Sequence, residues 1–342
     1  MQRKGKRGIY RLLLLCAALS GLLCGCGSKA EQTASGEPQY VFSYADNHPA
    51  AHPAVQGAYR FAQLVEERSE GRIRIIVYEN AQLGDETSVI EQLKYGGIDF
   101  ARVSVMTMGE FLPRLNVLQL PYLYEDAGHM WRVLDGEIGD ELMQDFEACG
   151  MKALSWYDAG SRNFYTVEKP IEKLEDMAGM RIRVAESELM ECMVRALGAQ
   201  PVSMVYSEVY SALETGTIDG AENNWPSYES AGHYKAAGYM TMDEHNRIPE
   251  VQLAAASTWE KLSEQDRALL EQCARESAEY QRTLWKQKEE EARRICENAG
   301  CVVTELDDRE KKRFRNAMAT VYEDFVEEYG DLVERILAEG NL

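Results

Sequence analysis

The spacing of hydrophobic and polar positions changes character along the chain, and each change predicts an element. From Arg72 to Tyr78 the period is two. Ile73, Ile75 and Val77 share one face and Arg74, Ile76 and Tyr78 the other, as in a strand with one covered side. Tyr40 to Ala45 reads as a strand, and Ala58 to Ser69 as a helix that ends near Gly71. A second helix from Glu86 to Tyr95 stops at Gly96-Gly97, and Ile98-Asp99-Phe100-Ala101 opens another strand. This β-α-β order predicts layered α/β architecture, with helices packed on sheets. Ser263-Glu264-Gln265-Asp266 supplies an N-cap hydroxyl and first-turn acids. Helical spacing then runs through Leu269, Cys273, Ser277, Leu284, Ala292 and Ile295 to a stop near Gly300. At 1.5 Å per residue such a helix extends roughly 50 Å, more than one small domain needs, and it is expected to brace two lobes.

The same stretches contain an internal match. Leu93 to Ala101 and Leu213 to Ala221 share L-x-x-G-x-I-D-x-A at a separation of 120 residues. In each, a helix ends at a glycine that takes the left-handed cap conformation cheaply, and a strand follows. Two similar lobes explain the match, and so does coincidence between two helix caps. In the two-lobe reading the strand ends after Ala101 and Ala221 face each other across a cleft, and the next residues are Arg102 and Glu222.

Charge narrows the possible partners. The 342 residues include 37 basic and 57 acidic side chains, a net charge of −20. The first 25 residues carry only basic charges (Arg3, Lys4, Lys6, Arg7, Arg11), so the body beyond them stands at −25. Such a body repels nucleic acid and anionic lipid. The basic stretch precedes an apolar run, Leu12 to Leu23, that is too short to span a bilayer and fits a secretory signal. Leu23-Cys24-Gly25-Cys26 resembles a bacterial lipobox. That resemblance implies a signal peptide over 1–25, lipidation at Cys26, a flexible tether over 26–38, and export with anchoring to the cell membrane. Five further cysteines (Cys149, Cys192, Cys273, Cys296, Cys301) form no C-x-x-C pair and argue against a disulfide framework or a zinc site. Cys192 and Cys273 read as buried free thiols; a Cys296–Cys301 bridge stays open.

Motifs for catalysis and nucleotide binding are missing: the sequence has no H-E-x-x-H, G-x-S-x-G, P-loop or G-x-G-x-x-G. No cofactor or metal is expected, and no enzymatic activity. His48 and His52 are four apart, but Pro49 and Pro53 break the helix that would pair them on a metal. Arginine is more informative. Arg162 follows the strand Leu154 to Tyr157, and Arg181 and Arg183 share one parity of Met180 to Val184. A guanidinium binds a carboxylate through two parallel hydrogen bonds that lysine cannot reproduce, although an isolated strand arginine is usually a solvated one.

From Gly160 to His245 the chain resembles the solute-binding proteins of tripartite ATP-independent periplasmic (TRAP) transporters, the dicarboxylate-binding DctP family. The resemblance is carried by Met177-Ala178-Gly179-Met180-Arg181-Ile182-Arg183-Val184, by Leu197 to Met204, by Tyr206 to Leu213 and by Ile218-Asp219-Gly220-Ala221-Glu222-Asn223. Gln82-Leu83-Gly84-Asp85-Glu86 and Leu120-Pro121-Tyr122-Leu123 extend it. It implies a two-lobe periplasmic-binding-protein-like α/β fold, with a ligand cleft between the lobes and a long helix spanning both. Lobe I is expected over 39–159 and 250–288, and lobe II over 160–249 and 289–342. It implies binding of a small carboxylate, delivery to a membrane permease, and a monomer. Arg183 matches the arginine that clamps the ligand carboxylate, Arg162 a second arginine near the ligand, and Asn223 an asparagine of the D-G-Q-E-N pattern, whose glutamine is Ala221 here. Tyr206 occupies an aromatic position that either adds a hydroxyl contact or packs. Glu86 matches an acidic position whose alternative role is helix capping. Asn223-Asn224-Trp225-Pro226-Ser227-Tyr228-Glu229-Ser230 and Asp243-Glu244-His245 resemble the hexuronate-associated subgroup. There Asn224 would read ring hydroxyls and Trp225 would cover a ring face. Arg102 and His48 are further candidates for which a structural ion pair or loop contact is an equal explanation. A C4-dicarboxylate would want a second cation opposite Arg183, a role Arg102 could fill. A sensor-associated binder is the other alternative use of such lobes.

Overall fold

The computed structural model describes residues 37–341, the side chains of 324–328 and 341 apart. The leader, Cys26 and most of the tether lie outside the described residues. The chain opens with β1 (Tyr40–Ala45), α1 (Pro53–Arg68), β2 (Ile73–Tyr78), α2 (Glu86–Lys94), β3 (Phe100–Ser104) and the short α3 (Val105–Met108). After α4 (Ala127–Leu134) and α5 (Glu137–Asp145) come β4 (Met151–Tyr157), β5 (Arg162–Thr166), β6 (Arg181–Val184), α6 (Glu188–Ala196) and β7 (Gln200–Ser203). Next are α7 (Val209–Glu214), β8 (Gly220–Asn223), α8 (Trp225–Ser230), β9 (Tyr239–Asn246), β10 (Glu250–Ala255) and α9 (Ala256–Trp259). The chain closes with α10 (Glu264–Asn298), β11 (Val302–Glu305), α11 (Asp308–Ala317) and α12 (Ala319–Ala338).

Most predicted elements appear within a residue or two of their expected ends, and α10 has the anticipated 35 residues from the Ser263 cap. Helix α1 starts five residues before the predicted Ala58 because its first turn is capped by unobvious chemistry. The Nδ1 of His52 accepts from the Ala54 amide at 3.2 Å, and Pro53 occupies the first helical position, where its missing N–H is harmless. In β2 Ile73 and Ile75 are buried and Arg74 and Ile76 exposed, as the period of two required. Cys192 is half-buried rather than buried, because it flanks the buried face of α6 made by Leu189, Met190, Met193 and Val194, and Cys149, Cys273, Cys296 and Cys301 are free thiols.

The strands form two sheets. The first has the order β2-β1-β3-β10-β4 and the second β11-β9-β5-β8-β6-β7. β1 pairs parallel to β2 and β3, whereas β10 runs antiparallel between β3 and β4. In the second sheet β6 pairs parallel to β7 and β8, and β5 runs antiparallel between β8 and β9. The chain passes between sheets at 158–161, from β4 to β5, and returns at 247–249, from β9 to β10.

Helix α10 crosses both layers. Leu270, Cys273 and Ala274 enter the core beneath the first sheet, and Ala292 and Cys296 enter that beneath the second. Between them Gln281, fully buried, accepts from the Asp158 amide at 2.9 Å and donates to the Asp158 carbonyl at 2.8 Å. This pins the first crossing segment to the helix. Gly160 follows at φ +59°, and a Cβ there would come within 2.7 Å of both Trp285 and Glu289 on α10, so only glycine fits. Helix α12 packs on α6 and also on the turn Pro113–Gln119 of the first lobe. These layers are the two-lobe α/β architecture expected from the sequence.

Candidate functional site

The two copies of the repeat take the same local form. Gly96 (φ +73°) ends α2 and Gly216 (φ +69°) ends α7, and in both the following isoleucine (Ile98, Ile218) is buried. The aspartate after it ties the turn to a neighbouring strand. Asp99 accepts from the Ser43 amide at 2.9 Å and Asp219 from the Arg181 amide at 2.8 Å. Ala101 and Ala221 are fully buried, and the next side chains, Arg102 and Glu222, are buried ions.

Between the lobes lies a narrow cavity of about 30 Å³. The first lobe lines it with Asn47, Asp85, Glu86 and Thr107, and the second with Arg183, Met204 and Tyr206. Arg183 projects from β6. Its Nε and Nη2 donate to the Met204 carbonyl at 3.0 and 2.6 Å, and the residue is only 3% exposed. Among the described residues no carboxylate lies within 4.0 Å of it. Arg181, on the same parity but at the open end of the strand, is instead paired with Asp219 and half-exposed.

Glu86 is the first residue of α2, which Asp85 caps, so the capping alternative falls to its neighbour. Its Oε1 accepts from Arg102 Nη1 at 2.7 Å and from the Ser104 amide at 3.3 Å, and its Oε2 from Thr107 at 3.0 Å. Tyr206 lines the cavity and donates its hydroxyl to the Ser227 carbonyl at 3.0 Å. His48 stands behind the wall, stacked on His52 at 3.8 Å and tilted against Tyr206 at 5.2 Å.

Across most of its length, residues 44–329, the chain matches the model of DctP, the bacterial extracellular solute-binding proteins of family 7. A solute-binding protein of Chromohalobacter salexigens is 39% identical over 83% of this chain and 84% of its own length. Among solved structures, a TRAP solute-binding protein from Bradyrhizobium, in complex with D-galacturonate, superposes with a TM-score of 0.84 at 40% identity, over 87% of this chain and 99% of that one. One from Roseobacter denitrificans, with bound β-D-glucuronate, gives 0.84 at 39% identity over the same shares. The chain belongs to the DctP family. It is a TRAP solute-binding protein, a transport component and not an enzyme.

In this solute-binding protein several candidates stand elsewhere than the sequence suggested. Arg162, at the start of β5, is committed to Glu222 through Nε at 2.5 Å and Nη2 at 2.8 Å, and donates to Asn223 Oδ1 at 3.1 Å. It backs Arg183 rather than lining the cavity. Asn223 is used by that contact and by the Asn224 amide. Asn224 is the N-cap of α8, accepting from the Ser227 amide at 2.8 Å, so its carbonyl is not offered to a ligand. Trp225 is corrected outright: the indole is 2% exposed in the core with Tyr228 and Ala292, because its place at the first turn of α8 points it beneath the sheet. Arg102 is enclosed by Asp46 at 2.6 Å, Glu86 at 2.7 Å and Glu250 at 3.3 Å. It is an internal ion pair and offers no second cation opposite Arg183. Asn47 and Thr107, which line the cavity, carried no signal in spacing or composition.

Burial and charge act differently in the two lobes. Burial alone would raise the Asp46 carboxyl, but Arg102 and His48 hold it well below the carboxylate range. Burial pushes Glu250 up. In the second lobe burial opposes ionisation of Glu222, yet Arg162 and His245 draw its pKa down to about 2. Burial would likewise lower His245, but Asp243 and Glu222 lift it to about 9, so it is a cation at neutral pH. Arg183 is the exception: burial lowers its pKa, with Glu222 the largest charge opposing that shift.

Proposed function

We propose that this protein is the binding lipoprotein of a TRAP transporter for a hexuronate such as D-glucuronate or D-galacturonate, which it carries to the membrane permease. The observation that carries this reading is Arg183, a buried guanidinium in the cavity wall with no carboxylate of its own. A buried charge normally has a partner, and a ligand carboxylate supplies one in a fork-to-fork geometry. The opposite wall of Asn47, Glu86 and Thr107 is polar and suits ring hydroxyls. The enclosure of Arg102 by three carboxylates disfavours a C4-dicarboxylate, which would need a free cation there. The uronates held by the Bradyrhizobium and Roseobacter proteins support the same choice. In this reading the mature protein is a monomer tethered through a lipidated Cys26, with lobe I over 39–159 and 250–288 and lobe II over 160–249 and 289–342.

A thermal-shift screen of D-glucuronate, D-galacturonate, succinate and malate tests it, since a ligand at 100 times its Kd stabilises by about 2.7 kcal/mol. The uronates should raise the melting temperature, the C4 acids should not, and Arg183→Ala should abolish the shift. A response to succinate or malate alone would overturn the ligand assignment.

A further inference from the structure

The repeat places ions of opposite sign at corresponding positions. One residue beyond the shared motif stands Arg102 in the first lobe and Glu222 in the second. Each is surrounded by its own counter-ions. Arg102 faces Asp46, Glu86 and Glu250, with His48 against its guanidinium, whereas Glu222 faces Arg162 and His245, and His245 is held in turn by Asp243. In the first lobe one arginine therefore meets three carboxylates. In the second, Arg162 and the His245 cation meet Glu222 and Asp243 behind the wall, and Arg183 lines the cavity with Glu186 on the same lobe. Glu86 and Arg183 therefore stand on opposite walls of one cavity.

Among the side chains of the first-lobe wall, Asn47 is the donor and Glu86 and Thr107 are acceptors. A carboxylate has about four lone-pair positions, and three of those on Glu86 are taken by Arg102, the Ser104 amide and Thr107. The one remaining lies on Oε2 of this cavity-lining residue. The Thr107 hydroxyl has already given its only hydrogen to Glu86, so toward the cavity it can only accept. Asn47 Oδ1 accepts from Arg102, which leaves its amide N–H groups as the donors of this wall.

We propose that Glu86 is a charge filter: it accepts a hydroxyl hydrogen from the neutral pole of a mono-acid held by Arg183, and rejects a ligand with a second carboxylate at that pole. At neutral pH such a carboxylate brings no hydrogen for Glu86 or Thr107, and it sets like charges against each other. The inference rests on the hexuronate reading and sharpens it, because it separates a uronate from the di-acid formed by oxidising its other end.

Titration calorimetry with D-galacturonate, galactarate and D-galactonate tests it. Galactonate is open-chain like galactarate but ends in CH2OH, so it separates charge from ring closure. The wild type should bind galacturonate at least about 100-fold more tightly than galactarate, with galactonate clearly ahead of galactarate. In Glu86→Gln, which keeps the shape and removes the charge, galactarate should gain affinity in absolute terms and the gap should narrow at least tenfold. Galactonate as weak as galactarate, an unchanged ratio in Glu86→Gln, or equal binding of galactarate and galacturonate by the wild type would overturn the filter and leave the hexuronate reading standing. The wild-type comparisons decide this even if the variant folds poorly. Binding of galactarate in place of both uronates would overturn the two together.

Discussion

Arg102 and Arg183 are both buried arginines near one cavity, and their surroundings give them opposite effects on the empty protein. Arg102 is the shared ion-pair partner of Asp46, Glu86 and Glu250. Removing it leaves buried carboxylates without a counter-ion, a loss of about 3–5 kcal/mol. Arg183 has been taken out of water with only a carbonyl to hold it. Thermal denaturation of the unliganded protein should therefore show a clearly lowered melting temperature for Arg102→Ala, and an unchanged or raised one for Arg183→Ala, although the latter loses ligand. A large drop for Arg183→Ala would mean that it is structural. Strand parity grouped Arg181 with Arg183, but parity could not tell which end of a four-residue strand is covered. The position of Asp219 beside Arg181 decides that, and it depends on a strand pairing formed across 38 residues. The packing of Arg162 and Trp225 was invisible in the sequence for a related reason. Sequence places a side chain on a face but does not say whether a neighbouring strand or helix has already claimed it.

Local periodicity specified the elements well, because the covered face of β2 and the Ser263 cap of α10 depend on a few consecutive residues. It failed at the start of α1, where a histidine does the work of a serine or aspartate. The two repeat caps offer a direct comparison. A non-glycine residue in the left-handed region costs about 1–2 kcal/mol. Around Gly216 nothing lies within 4 Å of an added Cβ, whereas at Gly96 the Ser257 hydroxyl would lie 2.4 Å away. Denaturant titration should thus show both Gly216→Ala and Gly96→Ala to be destabilised, the second by more. Strands β5, β8 and β9 are stitched together by Arg162, Glu222, His245 and Asp243, which gives the second sheet a pH signature. His245 is raised from 6.5 to about 9, so its stabilisation is complete below about pH 6.5 and disappears as pH rises through 9. Glu222, lowered from 4.5 to about 2, contributes fully above about pH 4.5 and is lost as pH falls through 2. Melting temperatures of the unliganded protein should be highest between those limits and decline from pH 6.5 to 9. His245→Gln should flatten the alkaline decline; a variant with the same slope as wild type would remove His245 as its source.

At the scale of the whole molecule, polar contacts join the lobes beside the cavity: Thr87 donates to Glu186 at 2.9 Å, Ser187 to Gln119 at 2.9 Å, and His52 meets Ser227 at 3.2 Å. A ligand bound to both walls adds to these contacts and favours closure. The approach of that ligand is governed by a different field. The chain carries −20 in all and −25 beyond its first 25 residues, yet the group that would receive a carboxylate, Arg183, is a positive charge in the cavity wall. At 10 mM salt the Debye length is about 30 Å, and an approaching anion feels the acidic body; at 150 mM it is about 8 Å, and only the nearest groups act on it. Screening therefore removes more repulsion than attraction. In stopped-flow binding of D-glucuronate to mature protein, the association rate should rise several-fold between 10 and 150 mM salt, opposite to the usual behaviour of electrostatically steered pairs. The dissociation rate, set inside the closed cavity at Arg183, should change much less. An association rate that falls with salt would mean that the field of Arg183 reaches beyond the cleft mouth and outweighs the acidic body.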